Sequence, residues 1–160
     1  MSTSGRRVLS IQSHTVSGYV GNKSAVFPLQ LLGFDVDPIN SVHLSNHTGY
    51  PIVRGQRLQA DELLAIVDGL TQNHFLPLYT EILTGYIGQL ELLNAVHDAV
   101  ERIVASNPNV RYLCDPVLGD NGKLYVPADL VDVYRTKLLP LAHIITPNQF
   151  ECEALLGDGT

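Results

Sequence analysis

Residues 8–41 read VLSIQSHTVSGYVGNKSAVFPLQLLGFDVDPINS, and this stretch decides the fold. Val8-Leu9-Ser10-Ile11 is a short apolar run of the kind a buried strand needs. A Ser/Gly-rich loop follows from Ser13 to Gly21, and Asn22 stands where a helix cap belongs. The helical pattern then runs to Gly33, with Pro28 inside it withholding one backbone N–H and predicting a kink. Phe34 to Ser41 turns apolar again and reads as a second strand. Strand, helix and strand together make a crossover unit, the connection that parallel strands require.

The same alternation continues outward. Asp61 opens a helix with Leu63, Leu64, Ile66, Val67 and Leu70 at helical spacing, and Glu81 to Thr84 returns to the sheet. A long helix from Leu90 to Ala105 carries Leu93, Val96, Val100, Ile103 and Val104 on one face and stops before Asn107-Pro108. Val110 to Cys114 is the next strand. Asp120-Asn121-Gly122 is a hairpin signal, so Val117 to Val126 is expected to fold back as a flap. Pro127 to Leu138 reads as helix, His143 to Ile145 as strand and Gln149 to Leu156 as helix. The sequence shows no repeat or linker. The expectation is one domain over residues 1–160, a three-layer α/β/α fold with a mostly parallel sheet.

Composition narrows the function. The 160 residues are 45% hydrophobic and 16% charged with a net charge of −6, which fits a folded domain and excludes a disordered chain. Without a Lys/Arg run there is no basic footprint for nucleic acid. No segment approaches the length of a membrane span, and the apolar run after Arg6-Arg7 is too short for a signal peptide. Cys114 and Cys152 are the only cysteines and lie far apart, which points to neither a disulfide framework nor a paired metal site and fits a reducing, cytoplasmic compartment.

In parallel α/β sheets, ligands bind beyond the carboxyl ends of the strands. Here polar residues fill every such place: Ser13-His14 with Gly18 and Gly21, His47-Thr48-Gly49-Tyr50, Thr84-Gly85-Tyr86, Asp115 to Asp120, and Thr146-Pro147-Asn148. There is no G-x-G-x-x-G, and Gly21-Asn22-Lys23-Ser24 misses a P-loop because Asn separates Gly from Lys. Asp115 and Asp120 suit a hard cation such as magnesium, set against the plainer reading of a turn with an Asp at each end. Thr146 to Glu151 puts a hydroxyl, an amide and a carboxylate at a helix start that also favours anions, set against an ordinary helix cap. His43 and His47 are four apart on a segment that does not read helical and show no third zinc ligand. His14 and His47 are candidate donors to a polar ligand, Tyr86 a candidate ring neighbour, and Cys114 a small buried residue rather than a nucleophile.

Ser10 to His14 with Gly18 to Asn22, Asn40 to Val42 with Ser45 to Tyr50, Leu83 to Tyr86, Cys114 to Asp120 and Ile145 to Glu151 together resemble the pyridoxal kinases of the ribokinase-like superfamily. The resemblance runs in order from about Arg7 to Leu156. It implies ATP-dependent phosphorylation of the 5'-hydroxymethyl group of pyridoxal, pyridoxine or pyridoxamine, with Mg2+ and a monovalent cation (K+ or Na+), by a cytoplasmic homodimer. By position, Ser13 and Thr48 match hydrogen-bonding contacts to the pyridine ring, and Val20, His47 and Tyr86 match residues that enclose it. Asp115 and Asp120 match the acidic pair near the phosphates and cations, Asn148 a nucleotide contact, and Glu151 a residue ordering the metal's water shell. Thr146 with Asp115 suits the monovalent cation. The hairpin from Asp120 to Val126 matches a flap that excludes water.

Two departures stand out. Val53 occupies a place where many members of that family carry a Trp against the ring. The family's Asp base lies in a Gly-Thr-Gly-Asp motif in the second half of the fold, and Gly157-Asp158-Gly159-Thr160 has similar residue types in another order and place. The expectation is therefore the N-terminal half of such a kinase, without a catalytic base of its own and with little or no turnover alone. A half-sheet of this kind is also expected to leave an unpaired edge and an uncovered face. Two other readings follow: a noncatalytic module that binds a vitamer or pairs with a full-length subunit, and a hydroxymethylpyrimidine kinase.

Overall fold

The computed structural model describes residues 5–157, so Asp158, Gly159 and Thr160 of the terminal motif lie outside the described residues. Strand β1 (Arg7–Thr15) sits inside a six-stranded sheet, with β2 (Asp35–Leu44) on one side and β4 (Glu81–Thr84) on the other. Beyond these lie β3 (Gly55–Arg57), β5 (Arg111–Cys114) and β8 (Ile144–Ile145), giving the order β3-β2-β1-β4-β5-β8. Only β3 runs antiparallel. The strands β6 (Gly119–Asp120) and β7 (Lys123–Leu124) pair separately as a hairpin.

The crossover from β1 through α1 (Asn22–Leu31) to β2 is present as the sequence predicts. Asn22 is not the cap, however. Gly21 holds that position, and the Asn22 side chain turns into the sheet. The helix continues through Pro28, and the chain leaves it at Gly33 with φ +85°, a conformation that glycine adopts without strain. The second strand extends to Leu44, three residues beyond its expected end, because the register shifts between Gln12 and Ser13 and leaves Ser41 as an extra residue in β2. That bulge sets Val42 opposite Ser13 and Leu44 opposite Thr15, so all four share one face.

Helices α2 (Ala60–Gln72), α3 (Leu90–Ser106) and α4 (Asp129–Val133) cover the face that carries Leu9, Ile11, Ile82 and Tyr112, and their buried residues form one apolar cluster. Leu93, Val96, Val100 and Ile103 of α3 are buried in it, with Val104 at its margin. Each such side chain contributes roughly 1.5–3 kcal/mol by leaving water. Gln59 and Glu62 form a capping box at the start of α2, and α5 (Gln149–Leu156) closes the described chain.

The expected helix from Pro127 to Leu138 is shorter and broken. After α4 the chain widens into a π-helical turn at Tyr134–Leu138 and tightens into a 3₁₀ turn at Leu139–Leu141. Leu130, Tyr134 and Leu138 are all fully buried, and Pro140 supplies no N–H to continue the helix.

On the opposite face, α1 covers β1 and β2 alone. Leu83 and Leu113 are half-buried there, and Ile144 is 47% exposed. Glu81 anchors the strand starts by pairing with Arg111 (2.6 Å) and Arg6 (3.6 Å). Among the described residues no helix is long and apolar enough to cross a membrane.

Candidate functional site

A cleft of about 170 Å³ opens beyond the carboxyl ends of β1 and β2. It is lined by Ser13, Thr15, Val20, Val42, Leu44, His47, Thr48, Tyr86 and Val117. Ser13, Val20, His47, Thr48 and Tyr86 come from four separate segments, and the structure brings all five to this one cleft. Thr15, Val42, Leu44 and Val117 were not among the candidates. Their signal was the strand alternation, which places Thr15 beside Ser13 and, after the bulge, Val42 beside Leu44.

The floor of the cleft is buried and its rim exposed. Ser13, Thr15, Val42 and Leu44 form the floor, whereas His47 and Thr48 stand in solvent. The Gly49 N–H donates to His47 Nδ1 (3.2 Å), which leaves Nε2 to carry the proton of the neutral ring. Tyr50 packs against that ring with centroids 4.6 Å apart. The Ser41 hydroxyl donates to the Tyr86 carbonyl (2.6 Å) and ties the Tyr86 loop to β2. Thr15 is 2% exposed, and its Oγ1 has no hydrogen-bond partner among the described residues.

His14 does not line this cleft. Its ring meets His43 edge-on at 5.0 Å. Partial burial, then His43 and Lys23, keep His14 below the usual histidine range. His43 and His47 therefore have separate neighbours. A larger hollow of about 780 Å³ lies between Asn40, His43, Arg57, Glu62 and Ile66, and of the residues weighed above it holds only His43.

A second cluster forms beyond β5 and β8. Asp115 is half-buried, with Thr146 close beside it. Burial raises its pKa; the neighbouring Thr146 side chain works against this rise, and the nearby charge of Glu151 adds to it. Such a carboxylate gains from a cation. Glu151 is 4% exposed, and its Oε1 accepts the N–H groups of Leu118 (2.9 Å) and Gly119 (3.4 Å) while Oε2 accepts that of Asn148 (2.8 Å). Asn148 in turn accepts the Glu151 N–H (2.9 Å) and donates Nδ2 to the Gly119 carbonyl (2.8 Å). Both side chains are thus engaged with backbone, as a helix cap that also grips the hairpin.

Asp120 is exposed and spends both carboxylate oxygens on Asn121, one on its N–H (2.7 Å) and one on Nδ2 (3.1 Å). Asn121 and Gly122 both have positive φ, +50° and +74°, as the two-residue turn of a hairpin demands. Among the described residues, the one trio whose ligand atoms fall within 4.8 Å of one another is His97, Asp98 and Glu101 on the surface of α3. Asp115, Asp120 and Glu151 do not form such a group among the described residues. Cys114 is buried, burial pushes its thiol upward, and it behaves as a small core residue.

A family model described as phosphomethylpyrimidine kinase matches residues 79–160, just over half of the chain. The chain belongs to this family. A pyridoxal kinase of Arabidopsis thaliana is 61% identical over 151 residues, covering 94% of this chain and 48% of the relative. The structure of the pyridoxal kinase from Leishmania donovani in complex with ADP and pyridoxamine superposes with a TM-score of 0.89 at 47% identity, covering 93% of this chain and 53% of that one. A protein described as a putative phosphomethylpyrimidine kinase from Bacteroides thetaiotaomicron superposes at 0.87 with 30% identity, covering 95% and 51%. The chain spans about half the length of the curated relatives it matches.

Proposed function

We propose that this chain carries the vitamer cleft and the cation-facing corner of an ATP-dependent pyridoxal kinase domain. The reaction is phosphorylation of the 5'-hydroxymethyl group of pyridoxal, pyridoxine or pyridoxamine in a cytoplasmic homodimer. The observation that carries this reading is the convergence of Ser13, Val20, His47, Thr48 and Tyr86 on one small cleft. A neutral aromatic ring needs apolar walls with a few placed hydrogen bonds. Val20 and Val117 supply apolar walls, Val42 and Leu44 an apolar floor, Ser13 and Thr48 the hydroxyls, and His47 and Tyr86 the flanking rings. Identity points the same way, at 61% to a pyridoxal kinase against 30% to the phosphomethylpyrimidine kinase.

In this reading Asp115 and Thr146 face a monovalent cation and the Mg2+ that accompanies ATP. Asp120 joins them when it is released from the hairpin turn. Mg2+ would supply charge neutralisation of the transferring phosphoryl group. Asn148 and Glu151 act on the nucleotide side through the segment they hold, Leu118 and Gly119.

Among the described residues no carboxylate lines the vitamer cleft, and in this reading the base that takes the substrate proton is the Asp of the family's Gly-Thr-Gly-Asp motif. The chain alone is expected to bind vitamer without phosphorylating it. The test combines two measurements on the purified 160-residue chain: pyridoxine fluorescence titration, and absorbance of pyridoxal 5'-phosphate formed with ATP, Mg2+ and K+. Binding without turnover is the expected result. Turnover overturns the argument about the base. Tighter binding of hydroxymethylpyrimidine than of pyridoxine overturns the choice of vitamer.

A further inference from the structure

The loop that supplies Val20 is held by a residue that never reaches the cleft. Asn22 is 2% exposed, yet its side chain makes no cap bond to its own helix. The Gly21 carbonyl instead starts the helix by accepting the N–H groups of Ser24 and Ala25. The Asn22 amide is spent on the sheet. Its Oδ1 accepts the Ser10 hydroxyl (2.7 Å), and its Nδ2 donates to the Ile39 carbonyl (2.9 Å) and to Asn40 Oδ1 (2.8 Å). Gln12 Nε2 completes the group by donating to Ser10 Oγ (2.9 Å). One buried amide therefore joins α1 to both β1 and β2.

The residue before it shows what this joint fixes. Gly21 has φ +49°, and a Cβ placed on it would lie 2.5 Å from Ser13 Oγ and 2.8 Å from Ser13 N. Gly21 thus rests directly on Ser13, a floor residue of the cleft, and carries Val20 beside it as a wall. The start of the loop is pinned by the Val16 and Ser17 N–H groups, which donate to the Leu44 and Ser45 carbonyls (2.8 and 2.9 Å), while its Gly/Ser-rich backbone beyond them has many other conformations available. Asn22 holds the far end of the loop, next to Gly21 and Val20.

We propose that Asn22 is a positioning residue that sets the spacing between Ser13 and Val20, and through it the affinity of the cleft for a pyridine ring. This rests on the reading of the cleft as a vitamer site. The test is pyridoxine fluorescence titration of the 160-residue chain and three variants. Asn22→Asp is isosteric and keeps the acceptor for Ser10 but presents oxygen to the Ile39 and Asn40 acceptors. Gly21→Ala leaves the amide intact and forces the loop off Ser13. Val100→Ala, in the core under α3, lowers stability without touching the loop.

The expected result is binding weakened about tenfold or more in the first two variants and unchanged in the third. If Asn22→Asp does not fold, the Gly21→Ala titration decides alone. Wild-type affinity in either folded loop variant overturns the proposal and leaves the cleft reading standing. Parallel losses in all three, tracking melting temperature, overturn it as a general stability effect. No binding by the wild-type chain overturns both.

Discussion

Replacing Glu151 with Gln separates a structural grip from metal chemistry, because the change can be read with no metal present. The carboxylate is 4% exposed and receives three backbone N–H groups, from Leu118, Gly119 and Asn148. Gln retains one acceptor oxygen. If that oxygen stays on Leu118 and Gly119, the new NH2 faces the Asn148 N–H, donor against donor. One buried N–H is then stranded, at a cost of about 1–3 kcal/mol, and the remaining bonds lose their charge assistance. A total of about 2–3 kcal/mol corresponds to a melting-temperature loss of roughly 4–12 °C for a domain of this size. Thermal unfolding by circular dichroism in EDTA measures it, and hydrogen exchange locates it at the Leu118 and Gly119 amides. A Glu151→Gln variant that melts within 1 °C of wild type in EDTA, with unchanged exchange at those amides, refutes the grip.

Two other substitutions probe parts of the molecule outside that cap. Thr15→Val removes a shielded hydroxyl without a partner while keeping the shape, so urea unfolding should show a gain of about 1 kcal/mol; a loss would mean that the hydroxyl is satisfied in solution. Glu81 is pushed upward by burial, but Thr80, Arg111 and Arg6 outweigh this and hold its carboxyl below the usual range. A depressed carboxylate lends its stability fully above the ordinary carboxylate pKa and loses it as the pH falls through its folded value. Because both Arg partners are half exposed, Glu81→Gln should cost only about 1–2 kcal/mol at pH 7, with the gap to wild type closing as the pH falls below the ordinary carboxylate range. A gap independent of pH would contradict the ion-pair account.

The elements legible in the sequence were those whose apolar periodicity and punctuation agreed. Glu81–Thr84 and Gln149–Leu156 fall where the pattern puts them, and the Asn121-Gly122 hairpin follows from its turn residues. Strand β3 was not legible. Gly55-Gln56-Arg57 is wholly exposed, so neither alternation nor an apolar run marks it, and only pairing with β2 makes it a strand. The extension of β2 to Leu44 rests on a bulge, which leaves no mark in periodicity. Asn22 shows a different limit: its residue type fits a cap, but the nearby Ser10 and Asn40 side chains and Ile39 carbonyl give its amide better partners. For the site, the family resemblance grouped Ser13, Val20, His47, Thr48 and Tyr86, and all five line one cleft. Chain order could not show that Asn148 and Glu151 turn to the backbone of Leu118 and Gly119, since that depends on contacts about 30 residues apart in the chain.

Strand β8 ends the sheet with two residues, Ile144 and Ile145, paired on one side to Leu113 and Cys114 and each nearly half exposed. Thr146 follows immediately. The margin of the sheet is therefore also the shoulder of the acidic corner, with one peptide between them. The Thr146 N–H donates to the Cys114 carbonyl (3.2 Å), so the pairing that holds β8 to β5 also holds the residue beside Asp115. The edge of the sheet and the shape of the acidic corner thus hang on the same short ladder.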